Sequence, residues 1–445
     1  METVLLYILG VVIVFVGLVV SIALHELGHL IPAKKFGVYV GQYMIGFGKT
    51  IWSRKIGETE YGFKMIPAGG YISMAGMYPP AKGDETGAGR NSSTGFMQTM
   101  MQDARTASAD TVAPGQEDRV FYKLATWKRI IIMLGGPTMN LLIGIVLYAV
   151  VLCGFGVVTG SSTIGSVNEC LTSAASAATE CSATDEPAPG AEAGLLPGDR
   201  IVSIDGTPVA NAAAVAAIIN ASAGTTLSFE IERDGAVQTL EATPRLTERY
   251  VTDPTTRTYV KDENGDRITE EVGLVGITFA DEIVQQPLTA VLPTVGDNIS
   301  RVAVIIVHLP QRLVDVANAA FGPAERDPEG PIGVVGIGRI AGEITSLDSV
   351  PIADRASALL SVLASLNIAL FVFNLVPLLP LDGGHVAGAL WESLRRRIAA
   401  LFKRPDPGPV DIAKLLPLTI VVSGILALMS ILLVYADIVK PISIL

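Results

Sequence analysis

Two histidines and one glutamate lie in the five-residue string His25-Glu26-Leu27-Gly28-His29. Residues four positions apart share one face of a helix, so both imidazoles can bind the same metal ion. The glutamate between them lies close enough to accept a proton from water that such a metal activates. The string lies at the end of an apolar run. Ionisable groups are costly inside a membrane, so those that occur there usually have a function. A purely structural pair of helix-end histidines is the alternative.

A catalytic zinc site needs a third side chain, because zinc there takes three protein ligands and leaves one position for water. Asp382 is the best candidate, since it ends an apolar run (374–385, NLVPLLPLDGGH) that prolines and glycines interrupt. Broken backbone at membrane depth is tolerated where it is buried in protein or lines a polar cavity. His385 is a competing ligand, and a helix-capping role for Asp382 is the alternative. We prefer Asp382 because a lone carboxylate inside an apolar run is otherwise hard to explain.

Four apolar runs are long enough to cross a bilayer, which takes about 20 residues of helix. The first of them, Val4 to Leu24, has 21 residues without a charge. A fifth apolar stretch, Ile299 to Leu309, is too short and carries Arg301, so it predicts an amphipathic helix or an ordinary core helix. The predicted transmembrane helices lie within residues 1–31, 130–159, 356–382 and 415–436.

Basic residues predict the orientation of these helices, because loops rich in lysine and arginine stay in the cytoplasm. Residues 32–129 hold 13 Lys and Arg against 8 Asp and Glu, and residues 383–414 hold 6 against 3. Residues 160–355 hold 12 against 28. The first and third loops are therefore predicted to be cytoplasmic, with the large second loop and both termini outside. Both proposed metal-binding regions then fall at the cytoplasmic side.

Composition excludes several classes of protein. Half of the 445 residues are apolar and 17% are charged, which is incompatible with a disordered chain. The net charge of −11 argues against a nucleic-acid partner. Three cysteines are too few for a disulfide scaffold, although Cys170 and Cys181 share the outer loop and are able to pair. Cys153 lies in a predicted span, where it acts as a small apolar filler.

The first loop, 32–129, contains two different kinds of sequence. Residues 41–77 are rich in Gly, Tyr, Ile and Phe, which predicts short strands joined by glycine turns. Residues 80–118 are polar and predict a flexible insertion with no packing signal.

The second loop contains a small folded domain at 160–285, followed by an amphipathic linker at 286–355. Residues 193–209 (AGLLPGDRIVSIDGTPV) predict a turn, an alternating strand and an Asp-Gly turn. A helix at 210–220 follows, then strands at 227–233 and 236–243. This order resembles a PDZ domain, which binds extended peptides between a strand and a helix. Residues 245–272 are charged and predict an exposed hairpin or insertion, and residues 321–342 return the chain to the membrane.

The HELGH string, the late Asn-Leu-Val-Pro and Leu-Asp-Gly-Gly-His segments and the outer PDZ-like domain together resemble the site-2 protease family. The resemblance is closest to its bacterial RseP/Rip-type branch of intramembrane zinc metalloproteases. It extends to residues 46–71, which resemble the membrane-associated β loop of the family, and to residues 127–140 and 330–333. It does not cover residues 80–118 and 245–270.

The resemblance implies roles for individual residues. His25, His29 and Asp382 correspond to the ligands of Zn²⁺, and Glu26 corresponds to the general base. Asn374 is implied in holding the substrate strand, and Asn140 is a weaker substrate-binding candidate near the site. Since this chain has one PDZ-like domain where some relatives have two, a tandem-PDZ filter need not transfer.

These features predict a polytopic α-helical membrane protein with four transmembrane helices, a membrane-associated β loop and an extracytoplasmic PDZ-like β/α domain. Its predicted activity is hydrolysis of peptide bonds within transmembrane segments, in the lipid bilayer of the cell inner (plasma) membrane. The resemblance implies single-pass substrates of the anti-sigma factor type, trimmed outside beforehand, as in stress signalling. The PDZ groove would bind a peptide or a new carboxyl terminus, or would obstruct large ectodomains. A metal transporter and a membrane-anchored PDZ scaffold are the alternatives.

Overall fold

A computed structural model of the chain describes residues 2–79, 96–112, 114–171, 181, 186–251, 259–260, 267–323, 326–327, 330–410 and 412–442. The chain divides into two compact units. The helical unit comprises Met1–Phe155 and Pro287–Leu445, and the inserted unit comprises Gly156–Gln286. The inserted unit overlaps almost completely with the domain predicted at 160–285.

The helical unit contains helices, two long strands and three short 3₁₀ turns at Phe121–Lys123, Leu288–Ala290 and Ile412–Leu415. In chain order, its helices and strands are α1 (Glu2–Lys35), β1 (Val40–Ile56), β2 (Thr59–Met74), α2 (Phe96–Asp110), α3 (Thr126–Ala149, continued by a π-helical segment Val150–Phe155), α6 (Val291–Val307), α7 (Leu309–Phe321), α8 (Val334–Ser346), α9 (Ile352–Asn374), α10 (Asp382–Leu401) and α11 (Leu416–Val439).

Among the described residues, five helices are long and apolar enough to cross a membrane. They are Glu2–Lys35, Thr126–Phe155, Leu288–Val307, Ile352–Asn374 and Leu416–Val439. Four of them contain the predicted spans. The remaining one, Leu288–Val307, includes α6 and carries Asp297 and Arg301, the charges that argue for an amphipathic helix. The count of four spans therefore stays a prediction.

The structure differs from the predicted boundaries at three places. The second predicted span, 130–159, is shorter, because its helix ends at Phe155 and a strand begins at Val157. The third, 356–382, is divided: α9 ends at Asn374, and Asp382 begins α10 instead of ending α9. The insertion predicted as flexible at 80–118 contains the helix α2 at Phe96–Asp110, while residues 80–95 lie outside the described part.

Proline explains the break after α9. Pro377 has no backbone N–H and disfavours helical geometry at the preceding residue, so the helix ends before it. Gly383 and Gly384 then let α10 start directly against the connecting segment. A Cβ on Gly383 would lie 2.4 Å from the Leu375 carbonyl oxygen, and one on Gly384 would lie 2.6 Å from the Leu379 nitrogen. Only glycine fits at both positions without a shift of the backbone.

The helices of this unit pack around α1 and α3. Helix α1 contacts both α3 and α8, and α3 contacts α9 and α10. Val14 of α1 lies in one buried apolar cluster with Ala341 of α8 and with Leu359 and Leu363 of α9. This packing brings the end of α1 carrying the HELGH string beside α3.

Strands β1 and β2 form an antiparallel sheet in the first loop, where strands were predicted at 41–77. Residues 42–45 of β1 pair with 60–63 of β2 and also with 70–73 of β2. Strand β2 therefore bends back and flanks the first half of β1 on both sides. Among the described residues, no further strand pairs with the outer edge of 70–73.

The inserted unit is a twisted antiparallel sheet with helix α5 beside it. Its sheet has the strand order β10-β3-β4-β6-β7, with β5 paired to β4, and a separate hairpin joins β8 and β9. The elements are β3 (Val157–Val167), α4 (Pro189–Glu192), β4 (Arg200–Ile204), β5 (Thr207–Pro208), α5 (Ala212–Ala221), β6 (Leu227–Arg233), β7 (Ala236–Ala242), β8 (Arg245–Tyr250), β9 (Thr269–Leu274) and β10 (Ile277–Val284). The strands, helix and charged hairpin predicted from the sequence are all present.

Two features of this unit follow from short sequence signals. Asp234 and Gly235 both have positive φ, 52° and 79°, as a two-residue hairpin turn of type I′ requires. A disulfide joins Cys170 and Cys181, the pair noted in the sequence, while Cys153 is a free, partly buried thiol in the helical unit. Most residues between the two bridged cysteines lie outside the described part.

A buried carboxylate connects two strands of the inserted unit. The Asp199 side chain is 1% exposed, and its oxygens accept hydrogen bonds of 2.7 Å from Arg233 Nε and Nη2. The Leu196 backbone N–H donates a third bond of 2.8 Å. These bonds, the Arg233 guanidinium first, hold the pKa of Asp199 below its ordinary value.

Asp199→Asn is expected to destabilise the inserted unit by about 1–2 kcal/mol at neutral pH, because the partly exposed Arg233 side chain loses its charge partner. A depressed folded-state pKa contributes stability above the unfolded pKa, and that stability disappears as the pH falls through the folded value. The difference between variant and wild type should therefore shrink below about pH 4. Hydrogen exchange of the β4 and β6 peptides along a urea series at each pH measures it.

Asp205→Asn is the matched control for this prediction. Asp205 has φ of 48°, a backbone conformation that asparagine tolerates. Its side-chain oxygen accepts a hydrogen bond from the Ser228 N–H, and the amide oxygen of asparagine can accept the same bond. It should change stability little at any pH. Equal destabilisation by both variants, or a pH-independent effect of Asp199→Asn, contradicts the prediction.

Candidate metal centre

Three side chains predicted as metal ligands meet at one point. His25 and His29 lie one turn apart on α1, and their Nε2 atoms are 3.2 Å apart. Asp382, the first residue of α10, places Oδ2 3.3 Å from His25 Nε2 and 3.4 Å from His29 Nε2. Among the described residues, these are the one group of three or more His, Cys, Asp or Glu that are close enough to hold a metal ion.

The geometry of this group fits a zinc ion. Zinc bonds of about 2.0–2.1 Å in a tetrahedron place neighbouring ligand atoms about 3.3 Å apart, as these three are. The carboxylate oxygen Asp382 Oδ2 is buried and has no hydrogen-bond partner among the described residues. Its position beside two imidazole nitrogens is therefore best accounted for by a cation that all three bind.

The tautomers of both histidines favour metal binding through Nε2. His29 Nδ1 lies 2.7 Å from the Ile132 carbonyl oxygen, which only accepts, so His29 carries its proton on Nδ1. His25 Nδ1 lies 3.0 Å from Asn140 Oδ1 and donates to it in the same way. Each Nε2 then presents a lone pair towards the others. Such outer partners fix the orientation of metal-binding imidazoles.

Glycines allow α3 to lie directly against the two histidines. A Cβ on Gly28 would lie 2.3 Å from the Gly135 carbonyl oxygen, and one on Gly135 would lie 2.0 Å from the Gly28 carbonyl oxygen. A Cβ on Gly136 would lie 2.2 Å from His29 Nε2. Helices α1 and α3 therefore cross with their backbones in contact at the level of the predicted metal ligands.

A buried ion pair holds α10, and with it Asp382, against α3. Arg129 at the start of α3 donates to both carboxylate oxygens of Glu392, at 2.5 and 3.1 Å, and the two side chains are 5% and 1% exposed. Glu392 also accepts from the Val410 N–H at 3.0 Å. One surface of α10 is thereby fixed to the helix that supplies Asn140 and Ile132.

Glu26 lies next to the β sheet. A Cβ on Gly70 of β2 would be 2.8 Å from Glu26 Cγ, so only glycine lets the strand pass this close. Tyr43 of β1 donates from its hydroxyl to the Ala23 carbonyl oxygen at 2.7 Å and so ties the sheet to α1. Burial, together with the nearby charge of Glu26, raises the pKa of Tyr43 to about 12, which keeps the hydroxyl protonated.

The remaining sequence candidates occupy different positions. Asn374 is the last residue of α9 and is half-buried, with no side-chain hydrogen bond to another described residue. Asn140 is 1% exposed, and its oxygen already pairs with His25. His385 is half-buried on α10, and it contributes no atom to the three-ligand group.

Sequence reasoning missed the supporting residues of the site. Gly70, Gly136 and the Arg129–Glu392 pair had no assigned role, although the glycine pairs at 69–70 and 135–136 are a signal for close backbone approach. The buried Asn367, which donates to Ser21 Oγ at 3.0 Å between α9 and α1, was also unnoticed.

Comparison with known proteins places these features in context. The sequence model of peptidase family M50 matches residues 13–404. The zinc metalloprotease Rip1 of Mycolicibacterium smegmatis is 32% identical over 98% of this chain and 98% of its own length. Rip1 of Mycobacterium tuberculosis is 31% identical over 98% and 99%. The metalloprotease MmpA of Caulobacter vibrioides is 28% identical over 87% and 89%.

Proposed function

The chain belongs to peptidase family M50 and is a zinc metalloprotease of that family, and we propose that it hydrolyses peptide bonds within membrane-spanning segments of single-pass proteins. One observation carries the proposal. The three metal-ligand atoms converge beside a 34-residue apolar helix that is long enough to cross a membrane. A hydrolytic centre attached to such a helix acts on substrates that share the bilayer.

The proposed zinc ligands are His25, His29 and Asp382. When bound, zinc supplies Lewis acidity that lowers the pKa of a coordinated water towards about 7 and polarises a carbonyl group. The Glu26 carboxylate accepts the proton of the attacking water and passes it to the leaving amine. Asn140 and the Ile132 carbonyl keep both imidazoles in the tautomer that the metal requires.

The β sheet provides the edge to which an unwound substrate segment pairs. A helix in lipid hides its carbonyls in internal hydrogen bonds, so it must open before hydrolysis. Residues 70–73 of β2 pair with β1 on one side only among the described residues, and Gly70 lies beside Glu26. A substrate strand on this edge recovers the lost backbone hydrogen bonds next to the base.

Asn374 is proposed to hold the backbone of that substrate strand. It ends α9 just before the segment 375–381, and its side-chain amide has no partner among the described residues. Pro377 and Pro380 disfavour helical geometry in that segment, so α9 ends at Asn374 and Asp382 begins a separate helix.

The charge of the loops supports an orientation with the metal centre near the cytoplasmic side of the inner membrane. Residues 383–414 carry 6 Lys and Arg against 3 Asp and Glu. The Cys170–Cys181 disulfide of the inserted unit is consistent with an oxidising outer compartment. Anti-sigma factors already trimmed outside, as in stress signalling, are the proposed substrates.

The inserted unit is proposed to act as a PDZ-like domain that selects substrates. A cleft of about 450 Å³ lies between β3 and the start of α5, at residues 158–161 and 210–213. This pairing of a strand with a helix is the arrangement in which PDZ domains take extended peptides. A cleft at this place accepts a carboxyl terminus exposed by an earlier cut.

Reconstitution in lipid vesicles tests the proposal. The zinc-loaded protein and a single-span substrate are combined in vesicles, and mass spectrometry identifies the new termini. We expect the scissile bond to lie inside the apolar segment of the substrate. Cleavage confined to the parts outside the bilayer contradicts an intramembrane protease.

A substrate with a more stable span is the matched control. Replacement of its apolar segment by leucine, a strong helix former, raises the cost of unwinding. Its cleavage should be several-fold slower while its membrane insertion is unchanged. Equal rates for both substrates contradict the strand-pairing step.

Asn140→Leu is expected to weaken zinc binding by about 10–100-fold, since loss of an outer-shell partner of a metal-binding histidine has this effect. The variant leaves His25 Nδ1–H unpaired in a buried site. Competition with a chelator of known affinity measures the zinc dissociation constant directly, without an activity assay.

Asn140→Asp is the conservative counterpart, because its carboxylate still accepts from His25, and it should retain most of the zinc affinity. Asn374→Leu should leave zinc affinity unchanged. If Asn140→Leu retained zinc and only raised KM, Asn140 would bind substrate, as the resemblance implied.

A further inference from the structure

A stripe of apolar side chains covers one face of α10 and the residue that follows it. At 3.6 residues per turn, its six members fall within an arc of about 120°. Their exposed fractions range from 45% to 79%. They are Leu390, Trp391, Leu394, Ile398, Leu401 and Phe402. We call this set the α10 stripe.

The opposite face of α10 is fixed to protein, so the stripe is not turned inward. Ala389 and Glu392 are buried there, and Glu392 pairs with Arg129 of α3. Arg396 on the same face contacts Glu392 at 3.3 Å. Helix α10 therefore packs one face against α3, whereas its opposite face is exposed and is covered by no other element among the described residues.

Two arginines border the α10 stripe, one on each side. Arg395 and Arg397 lie about 20° beyond the two edges of the apolar arc, calculated from the helical repeat. Neither forms an ion pair with another described residue. Lys403 and Arg404 follow at the end of the helix and are exposed. Apolar residues with aromatic members and cations at the margins are typical of helices that lie in a membrane interface.

The chain path places α10 at a membrane surface. It follows α9 after residues 375–381 and precedes α11 after residues 402–415, and both neighbours are long and apolar enough to cross a membrane. Helix α10 itself is not among the candidate spans. Both of its ends are thus connected to spanning helices at the same side of the bilayer.

We propose that the α10 stripe inserts into the interfacial region of the leaflet at that side, and that Arg395 and Arg397 bind anionic lipid headgroups there. The occupant of this face is a lipid surface with negative charge, because the charges at its margins, partly exposed Arg395 and exposed Arg397, are positive. Since α10 begins with Asp382, the lipid contact and the Arg129–Glu392 pair together fix the depth of that ligand.

Quenching of Trp391 by brominated lipids tests this proposal in the full-length, zinc-loaded protein. Vesicles contain either brominated phosphatidylglycerol or brominated phosphatidylcholine at the same mole fraction and the same total anionic content. The difference between wild type and Trp391→Phe isolates the Trp391 signal from Trp52 and Trp127. We expect brominated phosphatidylglycerol to quench this signal roughly twofold more strongly than brominated phosphatidylcholine.

Arg395→Gln/Arg397→Gln should bring the ratio of the two quenching strengths to about one. Arg245→Gln/Arg249→Gln removes the same charge from β8 of the inserted unit and should leave the ratio unchanged. If neither brominated lipid quenched the Trp391 signal, protein would cover the stripe, and this result would overturn the proposal. Equal quenching by both lipids in wild type overturns the anionic preference. Neither result depends on proteolytic activity.

Discussion

Glu26→Gln should remove peptide cleavage and leave zinc bound. Glutamine has nearly the same shape but no basic carboxylate, so it cannot accept the proton of the attacking water. Loss of a general base costs about 10²–10⁴-fold in rate, and we expect the upper part of that range. The three ligand atoms come from other side chains, so the metal site should persist.

Two measurements on the same preparation check this result. Metal analysis should give one zinc per chain, and cleavage of the single-span substrate should fall to the level of a chelated sample. Glu192→Gln, an exposed change in α4, is the matched control and should retain full activity. Full residual cleavage by Glu26→Gln refutes its assignment as the base.

Asp382→Ala should lower zinc affinity by more than about 100-fold, since it removes a direct ligand and outer-shell losses alone reach that range. Asp382 Oδ2 is the atom that both Nε2 atoms face, at 3.3 and 3.4 Å. His385→Ala should retain zinc, because His385 contributes no atom to the group. Cleavage should disappear in the first variant only.

Chelator competition gives the two zinc affinities, and helical content by circular dichroism confirms that both variants fold. A variant that folds and loses zinc separates ligand loss from general unfolding. Retention of zinc by Asp382→Ala together with its loss from His385→Ala would make His385 the third ligand, the alternative that the sequence left open.

The sequence predicted that His25, His29 and Asp382 lie together, as they do in the structure, because the i, i+4 spacing and the predicted orientation each constrain their positions; their binding of zinc stays a prediction. It placed His25 and His29 on one helix and expected Asp382 at the same side. It also predicted strands at 41–77, although as short strands and not as the two long strands β1 and β2, and it located the Asp-Gly turns of the inserted unit. The helical spacing, the strand patterns and the turn signals each involve residues close together in the sequence, so they can be recognised without knowledge of the tertiary structure.

The sequence could not predict features that depend on tertiary packing. The prolines and glycines of 374–385 predicted broken backbone at the end of the third span, but they did not predict that α9 ends at Asn374 and that Asp382 starts a new helix. The pairing of Asn140 with His25 joins residues 115 positions apart. Helix α2 lies in a segment that is polar overall, and its apolar residues Phe96, Met97, Met100, Met101 and Ala104 recur at helical spacing, a signal that the prediction of a flexible insertion overlooked.

The close crossing of α1 and α3 restricts how hydrolytic water is supplied. A Cβ on Gly28 or Gly135 would lie 2.3 or 2.0 Å from the carbonyl oxygen of the other residue, so the two backbones leave no space for a water molecule at this crossing. Hydrolysis of a peptide bond nevertheless consumes one water in each turnover. Water must therefore reach the three candidate ligand atoms by a path that avoids this crossing, so a side chain introduced at Gly28 or Gly135 would act on the site by parting the two helices and not by closing a water channel.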